Sequence, residues 1–345
     1  MSSGAHSPSS WDFSRVTQQV ERWVAQGFYP GAGLIIGRGE RVLLERYFGR
    51  YAPETEEFIA SAGKWLAAAT IAAVVDQGLL SWDDTVGQWL PEFAGQAGEI
   101  RLRQLLSHTS GFAEQQPPGR RSDDYQTLAE SVVQIAALPL KEPPGTRFRY
   151  GALAMQVAGR MAELAAGQSF EELFQERLAR PLGLAHTRFT PVDSAPGHNP
   201  MLAGGARSNT RDYARFLALV AGNGRWEGKQ LLSPLALQEL QRDQVGSAQL
   251  EPGQFVERVR GAKHTGVYGL GQWRERLDRD GRATLVSSPS WAGSYPWIDT
   301  EHAVYGVLIA HIDLGGPPWE DGFNPFYSSA ALAELVAAAV DPVRR

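Results

Sequence analysis

No cysteine occurs among the 345 residues, which excludes disulfides, thiolate metal sites and a cysteine nucleophile together. No stretch reaches the roughly 18 consecutive apolar residues that a membrane-spanning helix needs. No basic run offsets the formal net charge of −5, which argues against a nucleic-acid partner. The seven histidines show no His-x-x-x-His spacing and no nearby carboxylate cluster, so no metal site is expected. A Gly-x-Ser-x-Gly elbow is missing as well, so His108 reads as a brace for its loop and not as a triad member. Residues 1–10 are a polar mixture without the basic start or apolar core of a signal peptide. They read as a disordered start or an expression remnant and leave the compartment, cytoplasmic or periplasmic, undetermined.

What is present is the ordinary material of a globular chain, 43% hydrophobic and 21% charged, long enough for one large domain or two sharing an interface. Asp12 or Ser14 can cap a first helix whose Val16, Val20, Trp23 and Val24 share a face, with Gly27 after its end. Segments 33–37 and 41–48, separated by Arg38-Gly39-Glu40, read as a hairpin. A buried helix follows and stops at Gly78, and Ser81 with Asp84 resembles a capping box. Helical patterns then dominate, at 102–106, 128–137, 153–166, 170–178 and 211–221, punctuated by Pro117-Pro118-Gly119, Pro143-Pro144-Gly145 and Pro181-Leu182-Gly183. The last third turns to strands at 266–277, 283–288, 291–299 and 303–312, before a final helix at 328–339. Strands at both ends with helices between predict an α/β (α+β) fold. One antiparallel sheet flanked by helices would come from 11–80 and 230–345, a mainly helical lobe from 81–229, and a site would lie in the cleft between them.

Ser61 and Lys64 open the buried helix, in Phe58-Ile59-Ala60-Ser61-Ala62-Gly63-Lys64-Trp65. Three residues apart, they lie on one helix face, where a hydroxyl and an amine can share a proton. The helix N-terminus favours negative charge, which suits a serine becoming an alkoxide. Residues 65–75 are apolar nearly all round, so the lysine is expected to be desolvated and its pKa lowered, as a base requires. Tyr150 stands where a Pro-Pro-Gly turn meets the next helix, a place that suits a cleft-facing phenol as well as a packed ring. Trp291-Ala292-Gly293-Ser294 begins a strand with small residues, where backbone can approach a bound group or simply bulge.

In order and spacing, Ser61-x-x-Lys64, Tyr150 and the Trp291-Ala292-Gly293 strand entry resemble the serine β-lactamase and D-Ala-D-Ala peptidase superfamily. Supporting stretches are 78–84, 105–111 and 208–212, and the closest branch looks like the class C β-lactamases and family VIII carboxylesterases. The resemblance implies a β-lactamase/transpeptidase-like fold, Ser61 as acylated nucleophile and Lys64 with Tyr150 as the proton-transfer pair. It also implies an oxyanion hole from the backbone amides of Ser61 and Ser294, substrate contacts at Trp291, Ala292, Gly293 and Ala152, and no cofactor. Two departures bear on substrate. The lactamase pattern Tyr-x-Asn is here Tyr150-Gly151-Ala152, and the place of the Lys-Thr-Gly cation carries Trp291. Both losses weaken recognition of anionic amides and favour neutral esters, so the expected activity is that of a carboxylesterase on a small-molecule ester. The alternatives are a β-lactamase or D-amino-acid peptidase, or a binding protein without turnover. Lys263-His264-Thr265-Gly266 competes as the third motif, although it sits one or two strands early. Gly31–Gly37 and Gly224–Lys229 fail the dinucleotide-loop and phosphate-loop patterns. Oligomeric state is not legible.

Overall fold

The computed structural model describes residues 11–117, 127–189, 200–313 and 322–341; residues 1–10 and Pro118-Gly119 of the first Pro-Gly break lie outside them. Gly31–Arg38 (β1), Arg41–Gly49 (β2), Trp273–Leu277 (β3), Ala283–Ser287 (β4), Gly293–Asp299 (β5) and Val304–His311 (β6) form a six-stranded antiparallel sheet. Its order is β2-β1-β6-β5-β4-β3. Leu34 faces Leu308 at the junction of the chain's two ends. The central strands β1, β5 and β6 are buried almost throughout, so they read as continuous apolar runs and not as alternating ones.

Successive side chains point to opposite faces of a strand, and the two faces meet different partners. Leu34, Ile36, Leu308 and Ala310 pack with Val16, Val20 and Trp23 of Ser14–Ala25 (α1). The opposite-facing Ile35, Val307 and Ile309 join the core of the helical part. That part contains Gly63–Asp76 (α2), Leu102–Leu106 (α3), Leu128–Ala136 (α4), Leu153–Ala166 (α5) and Thr210–Ala221 (α6). The terminal Ala331–Val340 (α7) sends Leu332 and Val336 to the same face as α1. Every residue of α2 from Gly63 to Val74 is buried, the environment its all-round apolar sequence demands.

Four boundaries differ from the sequence expectation. Only Trp273–Leu277 of 266–277 is strand, because Gly269 and Gly271 let the preceding stretch fold back on itself, with Arg274 N–H donating to Val267 O at 2.8 Å. Ser81 and Asp84 close a turn, Ser81 N–H donating to Asp84 Oδ2 at 3.0 Å. The short helix Val86–Trp89 is instead capped at Thr85, whose N–H donates to Gln88 Oε1 at 2.7 Å. The helix Phe170–Phe174 widens into π-type turns over Gln175–Ala179. The last helix begins at Ala331, because the hydroxyl of Ser329 leaves the helix to donate to Gly293 O at 3.1 Å.

Candidate active site

Ser61 sits in a single tight turn, Ala60–Ala62, immediately before α2. Its backbone is held from two sides. Ser288 Oγ, just beyond β4, donates to Ser61 O at 3.0 Å, and the buried Tyr213 hydroxyl of α6 donates to Ala62 O at 2.7 Å. Ala60 takes a left-handed φ of +46°, unusual for a residue with a side chain and typical of strained functional turns.

Lys64, in the first turn of α2, is 3% exposed. Its Nζ lies 3.1 Å from Ser61 Oγ and donates to Ala203 O at 2.7 Å. Burial disfavours the ammonium form and lowers the lysine from 10.5 to about 7. Near neutral pH a substantial share of molecules therefore presents a free amine to the hydroxyl. The Tyr150 ring centroid is 4.6 Å from Nζ, and the ring packs on Trp273 at 5.3 Å. Burial pushes the phenol up to about 12, an effect that the polar groups of Ser61 and Trp273 close by partly offset. Hydroxyl, amine and phenol, drawn from two distant stretches, thus share one cleft of about 710 Å³.

Trp291 and Ala152 line the same cleft. Trp291, 46% exposed, stands at the rim, edge-on to His311 at 5.6 Å, and His311 in turn lies 6.2 Å from Phe58. Ala292, Gly293 and Ser294 are buried and do not line the cleft. Ala292 N–H donates to Ser290 Oγ at 3.0 Å and its carbonyl accepts from Ile312 N–H at 2.8 Å. Gly293 N–H donates to Ser290 O at 3.1 Å, and its carbonyl accepts from Ser329. Those hydrogen bonds fix Ala292 and Gly293 in the strand entry behind Trp291. Gly293 has φ +117°, and a Cβ there would lie 2.4 Å from the Tyr29 ring, so only glycine fits. Ser294 spends its hydroxyl on Ala310 O at 3.0 Å.

The competing Lys263-His264-Thr265-Gly266 lies elsewhere: Lys263 pairs with Glu257 at 3.2 Å, and Gly266 O accepts from Arg274. Sequence reading missed Phe58, Glu114–Pro117, Met201, Ala203, Gly204 and Phe326, all of which line the cleft. Only Gly151 hinted at the second of these. A Cβ on it would lie 2.5 Å from Glu114 Cα, and Ala152 N–H donates to Glu114 O at 2.7 Å. Among the described residues one group could gather a metal, Asp299, Glu301 and His302. It lies at the far end of β5 from Gly293, and Arg276 already bridges both carboxylates at 3.4 and 3.2 Å.

The sequence profile of the Beta-lactamase family matches residues 16–323. The chain belongs to that family. A solved Bacteroides dorei structure, provisionally described as a beta-lactamase, is 47% identical with TM-score 0.91, covering 96% of this chain and 99% of its own. A family VIII carboxylesterase structure superposes with TM-score 0.73 at 18% identity, covering 98% of both chains, a likeness of fold alone. The D-alanyl-D-alanine-carboxypeptidase/endopeptidase AmpH of Escherichia coli K12 is 25% identical over 80% of this chain and 78% of its own length. The chain spans only about half the length of the first two curated relatives it matches, 52% and 55%. Membership makes this a β-lactamase/transpeptidase-like fold of the serine hydrolase superfamily. No helix among the described residues is long and apolar enough to cross a membrane.

Proposed function

We propose that this member of the Beta-lactamase family is a serine carboxylesterase that cleaves neutral esters through an acyl-enzyme on Ser61. The observation that carries the reading is the buried Lys64 amine, 3.1 Å from Ser61 Oγ, in a cleft whose described lining has no other cation. The neutral amine takes the Ser61 proton as Oγ attacks the ester carbonyl. The backbone amide of Ser61, which lines the cleft, is the proposed donor to the resulting oxyanion, and the Ser294 amide expected beside it is buried behind the cleft wall. As the tetrahedral adduct collapses, the proton passes from the Lys64 ammonium, by way of the Tyr150 hydroxyl, to the departing alkoxide. Water then attacks the acyl carbonyl and gives a proton to the same pair, which returns it to Ser61 Oγ as the adduct collapses to the carboxylic acid and the free enzyme. A phenol held near 12 stays protonated, so Tyr150 hands a proton on and Lys64 is the base.

Substrate charge follows from the walls. Glu114 adds negative charge, Trp291 stands where the β-lactamases and peptidases carry a lysine, and Ala152 lacks the amide of their asparagine. Such a cleft favours an uncharged acyl or aryl group over a carboxylate. The second reading, hydrolysis of β-lactams or D-amino-acid peptides, draws on the likeness to AmpH and to the Bacteroides dorei protein. Hydrolysis of p-nitrophenyl acetate and butyrate beside a chromogenic cephalosporin, with intact-mass detection of an adduct, separates the two. Ester turnover that Ser61→Ala abolishes, with melting temperature retained, is the expected result. Faster cephalosporin turnover transfers the assignment to the second reading, and neither turnover nor adduct leaves a binding protein.

A further inference from the structure

We infer that His108 is the positioning residue for Tyr150, fixing the phenol beside Lys64 by pinning the main chain on both sides of it. The inference rests on the reading of Ser61, Lys64 and Tyr150 as one proton-transfer set. His108 O accepts from Arg149 N–H at 2.7 Å, one residue before the tyrosine. His108 Nδ1 accepts from Gly151 N–H at 3.4 Å, one residue after it. Between these two ties the imidazole lies 4.7 Å from the Tyr150 ring, with Tyr268 closing its other side at 5.0 Å. One residue thus holds three consecutive positions of the segment that delivers the phenol.

Two further observations fit this role and no other. His108 follows α3 in the left-handed region, φ +59°, where glycine or asparagine ordinarily ends a helix. Histidine is among the side chains that tolerate this region, so the ring can be held there at modest cost. It is 2% exposed, and burial keeps it neutral with Nδ1 free to accept, an effect that a charged Lys64 strengthens in acid. Its Nε2 meets no hydrogen-bond partner among the described residues. Its described contacts are to main chain and to neighbouring rings, as suits a positioning role.

The test uses His108→Phe and His108→Asn, with Tyr150→Phe as a second background, and two readouts. His108→Phe keeps a ring and loses the acceptor, while His108→Asn tolerates the left-handed backbone and offers Oδ1 at the same bond count as Nδ1. The readouts are kcat and KM on p-nitrophenyl butyrate, and the rate at which a fluorophosphonate labels Ser61. A misplacement of about 1 Å costs on the order of 10² in rate, so His108→Phe should lower kcat and labelling by about 10–100-fold with little change in KM. His108→Asn should recover most of that loss. If His108→Phe does not fold, His108→Gly, which suits φ +59°, replaces it with the same expected loss. In a Tyr150→Phe background the same change should add little, because both act on one group. Unchanged kcat in the folded variant, or a full additional loss in the Tyr150→Phe background, overturns the inference. Wild-type Ser61 that resists labelling overturns the underlying reading and the inference with it, before any His108 variant is made.

Discussion

Acidifying the protein through neutrality should silence Ser61 by returning a proton to Lys64. Burial holds this amine at about 7 in place of 10.5, a difference of roughly 5 kcal/mol between its charged and neutral forms. Each pH unit below the midpoint removes a factor of ten, so about one molecule in a hundred carries the free amine at pH 5, against about nine in ten at pH 8. The value of kcat/KM for p-nitrophenyl butyrate, followed by pH-stat, should climb with unit slope to a plateau above about pH 8. Tyr150, near 12, adds no limb in this range, and His108 lies well below 6.5, so it can steepen the fall only further into acid. Stability follows with a definite sign. Between about 7 and 10.5 the unfolded chain binds the Lys64 proton and the folded chain does not, so stability from this residue rises with pH across that window. Lys64→Met has no charge to bury, and its stability relative to wild type should be roughly 3 kcal/mol more favourable at pH 6 than at pH 9. A rate profile flat from pH 5.5 to 8, a limb near 10, or turnover retained by the permanently charged Lys64→Arg would refute the assignment of Lys64 as base.

Tyr150→Phe, which keeps the packed ring and removes only the hydroxyl, should slow acylation in stopped-flow by about 10² or more. Trp291→Lys puts a half-exposed cation at the rim. It should raise cephalosporin turnover and lower butyrate ester turnover by about twofold to fivefold each, as suits one weakly screened charge pair. Gly293→Ala forces a Cβ to within 2.4 Å of the Tyr29 ring at φ +117°. Its cost should be about 2–4 kcal/mol, read as a lowered unfolding midpoint in a thermal scan.

Much of the sheet was legible because β1 and β6 carry apolar runs at their centres, and the α2 stretch because it is apolar on all sides. The 266–277 error has the opposite cause. Its β-branched and aromatic residues carry a strand pattern, while Gly269 and Gly271 use their freedom for a fold-back that long-range contacts select. At the site, Ser61 and Lys64 could be read because helix periodicity converts spacing into proximity. Tyr150 could be joined to them only by likeness to known proteins, since no local rule carries a residue from one segment to another. Met201, Ala203, Gly204 and Phe326 were illegible for the same reason. They are ordinary apolar residues whose importance comes from where other segments put them. Ala292 and Gly293 show the converse, a motif whose residues serve the strand behind the cleft.

Ser288 and Tyr213 suspend the Ser61 turn between the end of β4 and helix α6, tying the proposed nucleophile to both elements. A turn tied in this way moves with the two elements that hold it. Heat inactivation should therefore coincide with the cooperative melting of the protein, with no separate low-temperature loss of turnover.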